Sequence, residues 1–259
     1  MPLLAVNHLT IAYDGHPAIE DVSCEAKAGE VLAIVGESGS GKSTLLHAMI
    51  GLLPQQANIS GSLCFDGQEM ADAPQGAWDS LRGSRIGMVF QDAGAAFCPI
   101  RTVGEQMYEA ANRQKGWSRG EFRERTASLL ARVHLTERVL EQYPFRLSGG
   151  MAQRIGIVSA MLLEPQLLLA DEPTSALDTV AQASVVQELL AMRDAYGTAI
   201  VLVTHHMGVA RTMADRVLVL KHGHVMEYGK KEIFTAPKQP YTRQLLDAVP
   251  RLRRQEAAQ

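Results

Sequence analysis

The chain has 259 residues, of which 46% are hydrophobic and 20% charged, and its formal net charge is −3. These proportions exclude a disordered or low-complexity chain, and the length suits one large α/β domain or one domain carrying an insertion. A nucleic-acid binder would carry a basic balance or stripe; here the one basic cluster, Arg251, Arg253 and Arg254, reads as a solvated tail.

Residues 3–12 alternate loosely and stop at Tyr13-Asp14-Gly15, a turn signal. The start shows no basic stretch followed by an apolar run, so no secretory leader is expected. Val31 to Val35 is a continuous apolar run, as in a strand buried on both faces of a sheet. A glycine- and serine-rich loop follows, then a helix over 44–53 that stops near Pro54. Residues 60–66 alternate and close on Asp66-Gly67, a hairpin-type turn. Ile86 to Phe90 reads as another short strand.

Residues 101–147 differ in texture. Charged residues are frequent, and Phe122, Leu129, Leu130 and Val133 fall at helical spacing, so the segment reads as a helical insertion. Strands return at 167–170, 199–203 and 217–220, with helices over 179–195 and 206–213. Gly223 marks a turn into a last short strand, and residues 239–248 read as a helix. Strands alternating with helices predict parallel βαβ units. No run approaches the roughly 20 apolar residues that span a bilayer. Cys24, Cys64 and Cys98 form no CxxC pair and read as reduced thiols. His205-His206 and His222-x-His224 lack the further ligands that a metal site needs.

Three clusters carry chemistry. Gly36-Glu37-Ser38-Gly39-Ser40-Gly41-Lys42-Ser43 satisfies G-x-x-x-x-G-K-[ST] between a buried strand and a helix that Thr44 opens. In such a loop successive N–H groups converge on phosphate oxygens, and the helix N-terminus adds its positive end. Lys42 is expected to neutralise β- and γ-phosphate charge, and the Ser43 hydroxyl to ligate Mg²⁺. The strand 167–170 ends in Asp171-Glu172. Ligands of open parallel sheets bind at such carboxyl ends. Asp171 is therefore expected to meet the Mg²⁺ on Ser43, and Glu172 to polarise the water that attacks the γ-phosphate. By the same argument His205, after strand 199–203, faces the γ-phosphate and holds the attacking water. Gln91, after strand 86–90, reaches Mg²⁺ or water through its side-chain oxygen.

The motif order resembles the ATP-binding subunits of ABC transporters. Leu147-Ser148-Gly149-Gly150-Met151-Ala152-Gln153-Arg154 is similar to their signature motif, Ser175-Ala176-Leu177-Asp178 to the D-loop, His205 to the switch histidine, Gln91 to the Q-loop and Tyr13 to the adenine-stacking aromatic. The resemblance covers essentially the whole chain. It implies an α/β P-loop NTPase core with an N-terminal antiparallel β subdomain and an inserted helical subdomain. Residues 1–90 and 155–235 would form the core, 91–154 the helical insertion with the signature, and 236–259 a C-terminal helical tail. It implies ATP and Mg²⁺ as cofactors and a head-to-tail dimer in which Ser148, Gly149 and Gly150 cover the partner's nucleotide. The second ATPase subunit is expected to be a paralogue. Two transmembrane permease subunits and, indirectly, an extracytoplasmic substrate-binding protein complete the expected assembly, on the cytoplasmic face of the plasma (inner) membrane.

Within that family the chain looks most like the dipeptide, oligopeptide and nickel importer group. Met151, the segment from Gln91 to Gln106, and Pro240-Tyr241-Thr242-Arg243-Gln244-Leu245-Leu246 carry this likeness. Peptide-importer subunits have clustered cysteines toward the C-terminus, absent here, which favours the nickel-type subunit over the peptide type. His206 stands where the family has Asp, and Ala93 and Cys98 where it has Pro and Asn. Soluble ABC ATPases of repair or translation, which carry coiled-coil insertions, paired cores or basic surfaces, and a P-loop kinase, which would leave residues 147–154 unexplained, are the alternatives.

Overall fold

A computed structural model describes residues 1–175 and 177–248. Two sheets share one core. The smaller is antiparallel, in the order β2-β1-β4-β5: β1 is Leu4–Tyr13, β2 His16–Ala26, β4 Ala57–Phe65 and β5 Gln68–Glu69. The larger runs β10-β9-β3-β8-β7-β6, with β3 Val31–Val35, β6 Ile86–Val89, β7 Leu167–Asp171, β8 Ala199–Thr204, β9 Arg216–Lys221 and β10 His224–Lys230. Its strands pair in parallel except for β10, which returns antiparallel to β9.

The helices are α1 Lys42–Ala48, α2 Gln75–Leu81, α3 Val103–Lys115, α4 Arg119–Arg132, α5 Gly149–Met161, α6 Thr179–Tyr196, α7 Met207–Met213 and α8 Pro240–Asp247. Period-2 alternation gives each face of the central strands its own layer. Leu32 and Ile34 of β3 face the small sheet and α1; Ala33 and Val35 face α7, Phe234 and Tyr241. Leu168, Ala170, Ile200 and Leu202 pack against α3 to α7.

The apolar runs expected as strands at 31–35, 86–90, 167–170, 199–203 and 217–220 form β3 and β6 to β9, with ends shifted by no more than one residue. The Asp66-Gly67 turn joins β4 to β5 with positive φ at both residues, 50° and 79°. Elsewhere the structure departs from the sequence reading. β2 was not expected. Its pairing with β1 slips at bulges, so Glu20 and Asp21 interrupt the alternation that marks a strand. α2 was not expected either. It lacks a side-chain cap and buries only Trp78 and Leu81. The helix expected over 44–53 runs from Lys42 to Ala48 and gives way to turns before Pro54. Gly51 there adopts φ 65°, and a Cβ on it would lie 2.3 Å from the Trp78 ring. Trp78 therefore seals α2 onto the chain after α1, and it is 4% exposed. Trp78→Ala is expected to cost about 3–5 kcal/mol, seen as a lower urea midpoint at unchanged slope. The helical insertion is two helices, each started by a capping box, Thr102 with Glu105 and Ser118 with Glu121. Arg251, Arg253 and Arg254, with the tail beyond 248, lie outside the described residues.

Glu69 is a residue the sequence reading passed over. Burial disfavours its charge, but hydrogen bonds from Ser62 Oγ, the Ala71 and Leu63 N–H groups and Cys64 Sγ outweigh that and hold its pKa at about 2. A depressed carboxyl pKa stabilises the fold above the unfolded-state value and loses that effect as pH falls. The melting-temperature gap between the wild type and Glu69→Gln should therefore be full above about pH 4.5 and close as pH falls toward about 2.

Candidate nucleotide site

The site is built where β3, β7 and β8 end together. Pairing aligns Val35 with Thr204 and Asp171 with Val203, so the residues after each strand meet at one level of the sheet. The loop between β3 and α1 has little room. At Gly41, φ is 97° and a Cβ would lie 2.6 Å from Ile19 Cγ2 and 2.8 Å from the Ala18 carbonyl oxygen. Any larger residue there would push the loop off β2. The first amide of α1 to find an acceptor along the helix is Leu45, bonded to Gly41 O at 3.0 Å. The N–H groups before it are the ordinary orphans of a helix start.

Lys42 is 7% exposed. Its ammonium donates to Gly36 O at 3.0 Å and Glu37 O at 2.7 Å, which folds the side chain back over the loop. Burial lowers its pKa, while Glu172 and Asp171 pull the other way. Ser43 Oγ lies 3.5 Å from Asp171 Oδ1. Burial raises the Asp171 pKa against the influence of His47, Ser43 and Lys42. A hydroxyl and a carboxylate whose charge is disfavoured by burial form a hard-oxygen pair suited to Mg²⁺.

Glu172 sits just past β7 with φ 46°, a region costly for a residue with a Cβ. Its backbone N–H is held by Val203 O at 2.9 Å. That conformation turns the carboxylate toward the end of β8, where it accepts from the His205 N–H at 3.2 Å and meets His205 Nδ1 at 2.7 Å. Glu172's side chain is 13% exposed and His205's 60%.

An open cleft of about 750 Å³ gathers Ser38, Gly39, Gly41, Lys42, Ser43, Thr44, Gln91, Glu172 and His205, with Pro17, Ala18 and His222. Gly36 and Ser40 lie beneath it as buried members of the loop, and Glu37 is exposed beside it. Tyr13 is different. It is half-buried at the β1–β2 turn, against the core, and is not among the cleft-lining residues. Ser148, Gly149 and Gly150 start α5 away from the cleft, with Ser148 Oγ accepting from the Met151 N–H at 3.3 Å. Asp178 caps α6, accepting from Val180 and Ala181 N–H at 3.0 and 2.9 Å. A cavity of about 150 Å³ behind Glu172 and His205 reaches the α6 start through Thr174, Ser175 and Gln182.

The sequence reading missed Pro17, Ala18 and His222. Pro17 and Ala18 come to the cleft on β2, which was unrecognised, and His222 precedes Gly223 at the tip of the β9–β10 hairpin. Gly223 N–H donates to Ser40 O at 3.1 Å and its carbonyl accepts from Glu20 N–H at 2.9 Å, so this tip braces the phosphate loop. His206 donates its N–H to Thr204 Oγ1 at 2.9 Å, and its ring lies against Gly208. Ala93 is buried against Gly156 of α5, where a Cβ would lie 2.6 Å away. A small residue at each position lets the loop after Gln91 seat on the signature helix.

A phosphate loop between a buried strand and a helix, faced by two acids at the end of a parallel strand one place removed in the sheet, defines a P-loop nucleotide-binding ATPase. The comparisons narrow this class. The sequence matches the ABC transporter family over residues 19–175. It is 42% identical over 257 residues to the oligopeptide transport ATP-binding protein OppD of Salmonella typhimurium, covering 96% of this chain and 77% of that protein. It is 38% identical over 251 residues to the metal-staphylopine import system ATP-binding protein CntD of Staphylococcus aureus, covering 95% and 93%. Among solved structures, cbiO1 of Clostridium perfringens, part of the ABC transporter complex cbiONQ, superposes with TM-score 0.78 at 29% identity over 92% of both chains. The dimeric bacterial ABC transporter cassette MJ0796 gives 0.78 at 31% identity, over 88% of this chain and 98% of that one. The chain belongs to the ABC transporter family, as an ATP-binding subunit of the OppD and CntD importer type. It is an ATPase whose hydrolysis is coupled to transport, and proteins of this family work as dimers with permease subunits. No helix among the described residues is long and apolar enough to cross a membrane.

Proposed function

We propose that this chain is the ATP-hydrolysing motor of an importer, paired head to tail with a paralogous ATPase subunit at the cytoplasmic face of the plasma membrane. The triphosphate lies along residues 36–44. Lys42 turns from the loop carbonyls to the β- and γ-phosphate oxygens. Ser43, Asp171 and Gln91 would hold Mg²⁺, which would draw charge from the phosphate oxygens. Glu172 accepts the proton of the attacking water, and His205 holds that water and the γ-phosphate in line. Family likeness alone supports Tyr13 as the ring that stacks on adenine, since here it packs on the core at the β1–β2 turn. Ser148, Gly149 and Gly150 of one subunit, together with its Asp178, close over the nucleotide of the other, and loss of the γ-phosphate releases them. The observation that carries this reading is the convergence of Lys42, Ser43, Gln91, Glu172 and His205 on one cleft.

Residues 91–154 pass the motion to two permease subunits. The contact of Gln153 Nε2 with Phe90 O at 3.5 Å, beside Gln91, supports a mechanical link between cleft and signature helix. A separate substrate-binding protein and the pore select the cargo. For the cargo we favour nickel or a nickel complex, a reading supported by the likeness to CntD, a metal-complex import protein that this chain spans at 93% of its length. The 42% identity to OppD supports the second reading, an oligopeptide.

The test is to purify the chain from membranes, identify what accompanies it, and compare uptake of labelled nickel and a labelled dipeptide in cells with and without it. The isolated chain should be monomeric and hydrolyse ATP slowly, and the assembled complex faster. Full turnover by isolated monomers would sink the paired motor. Uptake of the dipeptide alone would replace the nickel reading with the peptide one.

A further inference from the structure

The C-terminal helix α8 reaches the phosphate loop. Glu227 of β10 fixes its start, accepting from the Lys238 N–H at 2.9 Å and the Gln239 N–H at 3.2 Å. Two residues after Gln239, Tyr241 lies 6% exposed among Val35, Met207 and Phe234, with Lys221 Nζ over its ring at 4.5 Å. Its hydroxyl accepts a hydrogen bond from the Glu37 N–H at 3.4 Å, across 204 residues of sequence. Burial raises the Tyr241 pKa, so the hydroxyl stays neutral at physiological pH.

That N–H and the Gly36 carbonyl belong to one peptide unit. A trans peptide is planar and points its N–H and C=O to opposite sides. On the far side, Gly36 O accepts from Lys42 Nζ at 3.0 Å. The peptide plane between Gly36 and Glu37 is thus held from outside by Tyr241 and from inside by the phosphate-binding lysine. Gly36 cannot supply the restraint itself. Its φ is 156°, and the Leu220 carbonyl oxygen stands 2.2 Å from where a Cβ would be, so glycine is required there and brings backbone freedom with it.

We propose that Tyr241 is a positioning residue for ATP binding: its hydroxyl fixes the 36–37 peptide, and with it the shape of the loop that receives the triphosphate. The proposal rests on the reading of residues 36–44 as the triphosphate site. It makes α8 a handle on nucleotide affinity, and it gives a task to the Pro240-Tyr241-Thr242 segment, which touches no part of the reacting cleft. Without the hydroxyl, the peptide plane rotates more freely, and binding must order the loop. The chemistry at Glu172 and His205 is untouched, because Tyr241 contacts neither.

Tyr241→Phe removes the acceptor and keeps the ring under Lys221. In the full chain, the Kd for Mg–ATP measured by calorimetry should rise about five-fold, the scale of one lost hydrogen bond. In the assembled transporter KM should rise alike, with kcat kept within about two-fold. The Glu37 amide should exchange with solvent at least about ten-fold faster by NMR, a readout that simple loss of packing on α8 would not single out. Unchanged Kd and unchanged Glu37 exchange overturn the proposal. Lys42→Ala, titrated alongside, separates the two levels: if it loses affinity while Tyr241→Phe binds like wild type, the inference about Tyr241 fails alone. If Lys42→Ala also keeps wild-type affinity, the triphosphate site is misplaced and the inference falls with it.

Discussion

Glu172→Gln is expected to lower ATP turnover by about 10²- to 10⁴-fold, the usual contribution of a general base, while Mg–ATP still binds. The amide keeps the shape and hydrogen-bonding reach of the carboxylate but takes up no proton at neutral pH. The contact with His205 at 2.7 Å explains why binding should survive. His205 Nδ1–H can donate to the amide oxygen, and the Glu172 backbone is held separately by Val203 O at 2.9 Å. With hydrolysis blocked, the charge that joins two subunits is not removed, so ATP should drive the variant into a stable dimer with its partner, detectable by size-exclusion chromatography. Turnover within a few-fold of wild type would remove Glu172 from the role of base and shift attention to His205 or Asp171.

Lys42→Ala should weaken Mg–ATP binding by at least about a hundredfold. A hydrogen bond to a charged group contributes about 1.5–3 kcal/mol, and this ammonium has two acceptors at 3.0 and 2.7 Å to exchange for phosphate oxygens. The substitution should leave the fold intact. Burial already disfavours the lysine's charge, so losing it removes a desolvation cost together with two hydrogen bonds. An unchanged melting temperature beside a lost calorimetric signal is the expected pair of results. Tight Mg–ATP binding by the variant would contradict the phosphate-loop reading.

Much of the site was legible because its chemistry is local. A loop that wraps a phosphate needs glycines at fixed spacing, a lysine within reach and a hydroxyl at the helix start, and all of these lie within residues 36–44. Asp171 and Glu172 were legible as acids ending an apolar strand, and His205 for the same reason on β8. The insertion's helical character also showed in its spacing, although its division at Gly116 and Trp117 did not. β2 escaped because bulges break its period. The expected place of Tyr13 was a matter of family likeness, and in this structure it packs on the core at a turn.

The sequence by itself determined the parallel sheet, the phosphate loop and the acids that face it, since buried strands and phosphate cradles follow from patterns a few residues long. Only the tertiary structure decided which distant residues brace that loop: the β9–β10 tip through Gly223 and Ser40, β2 through Ile19 and Ala18, and α8 through Tyr241 and Glu37. Those contacts join residues far apart in the chain by single hydrogen bonds or close backbone approaches. Such contacts impose no repeating pattern on composition, so they become visible only once the sheet has brought their partners together.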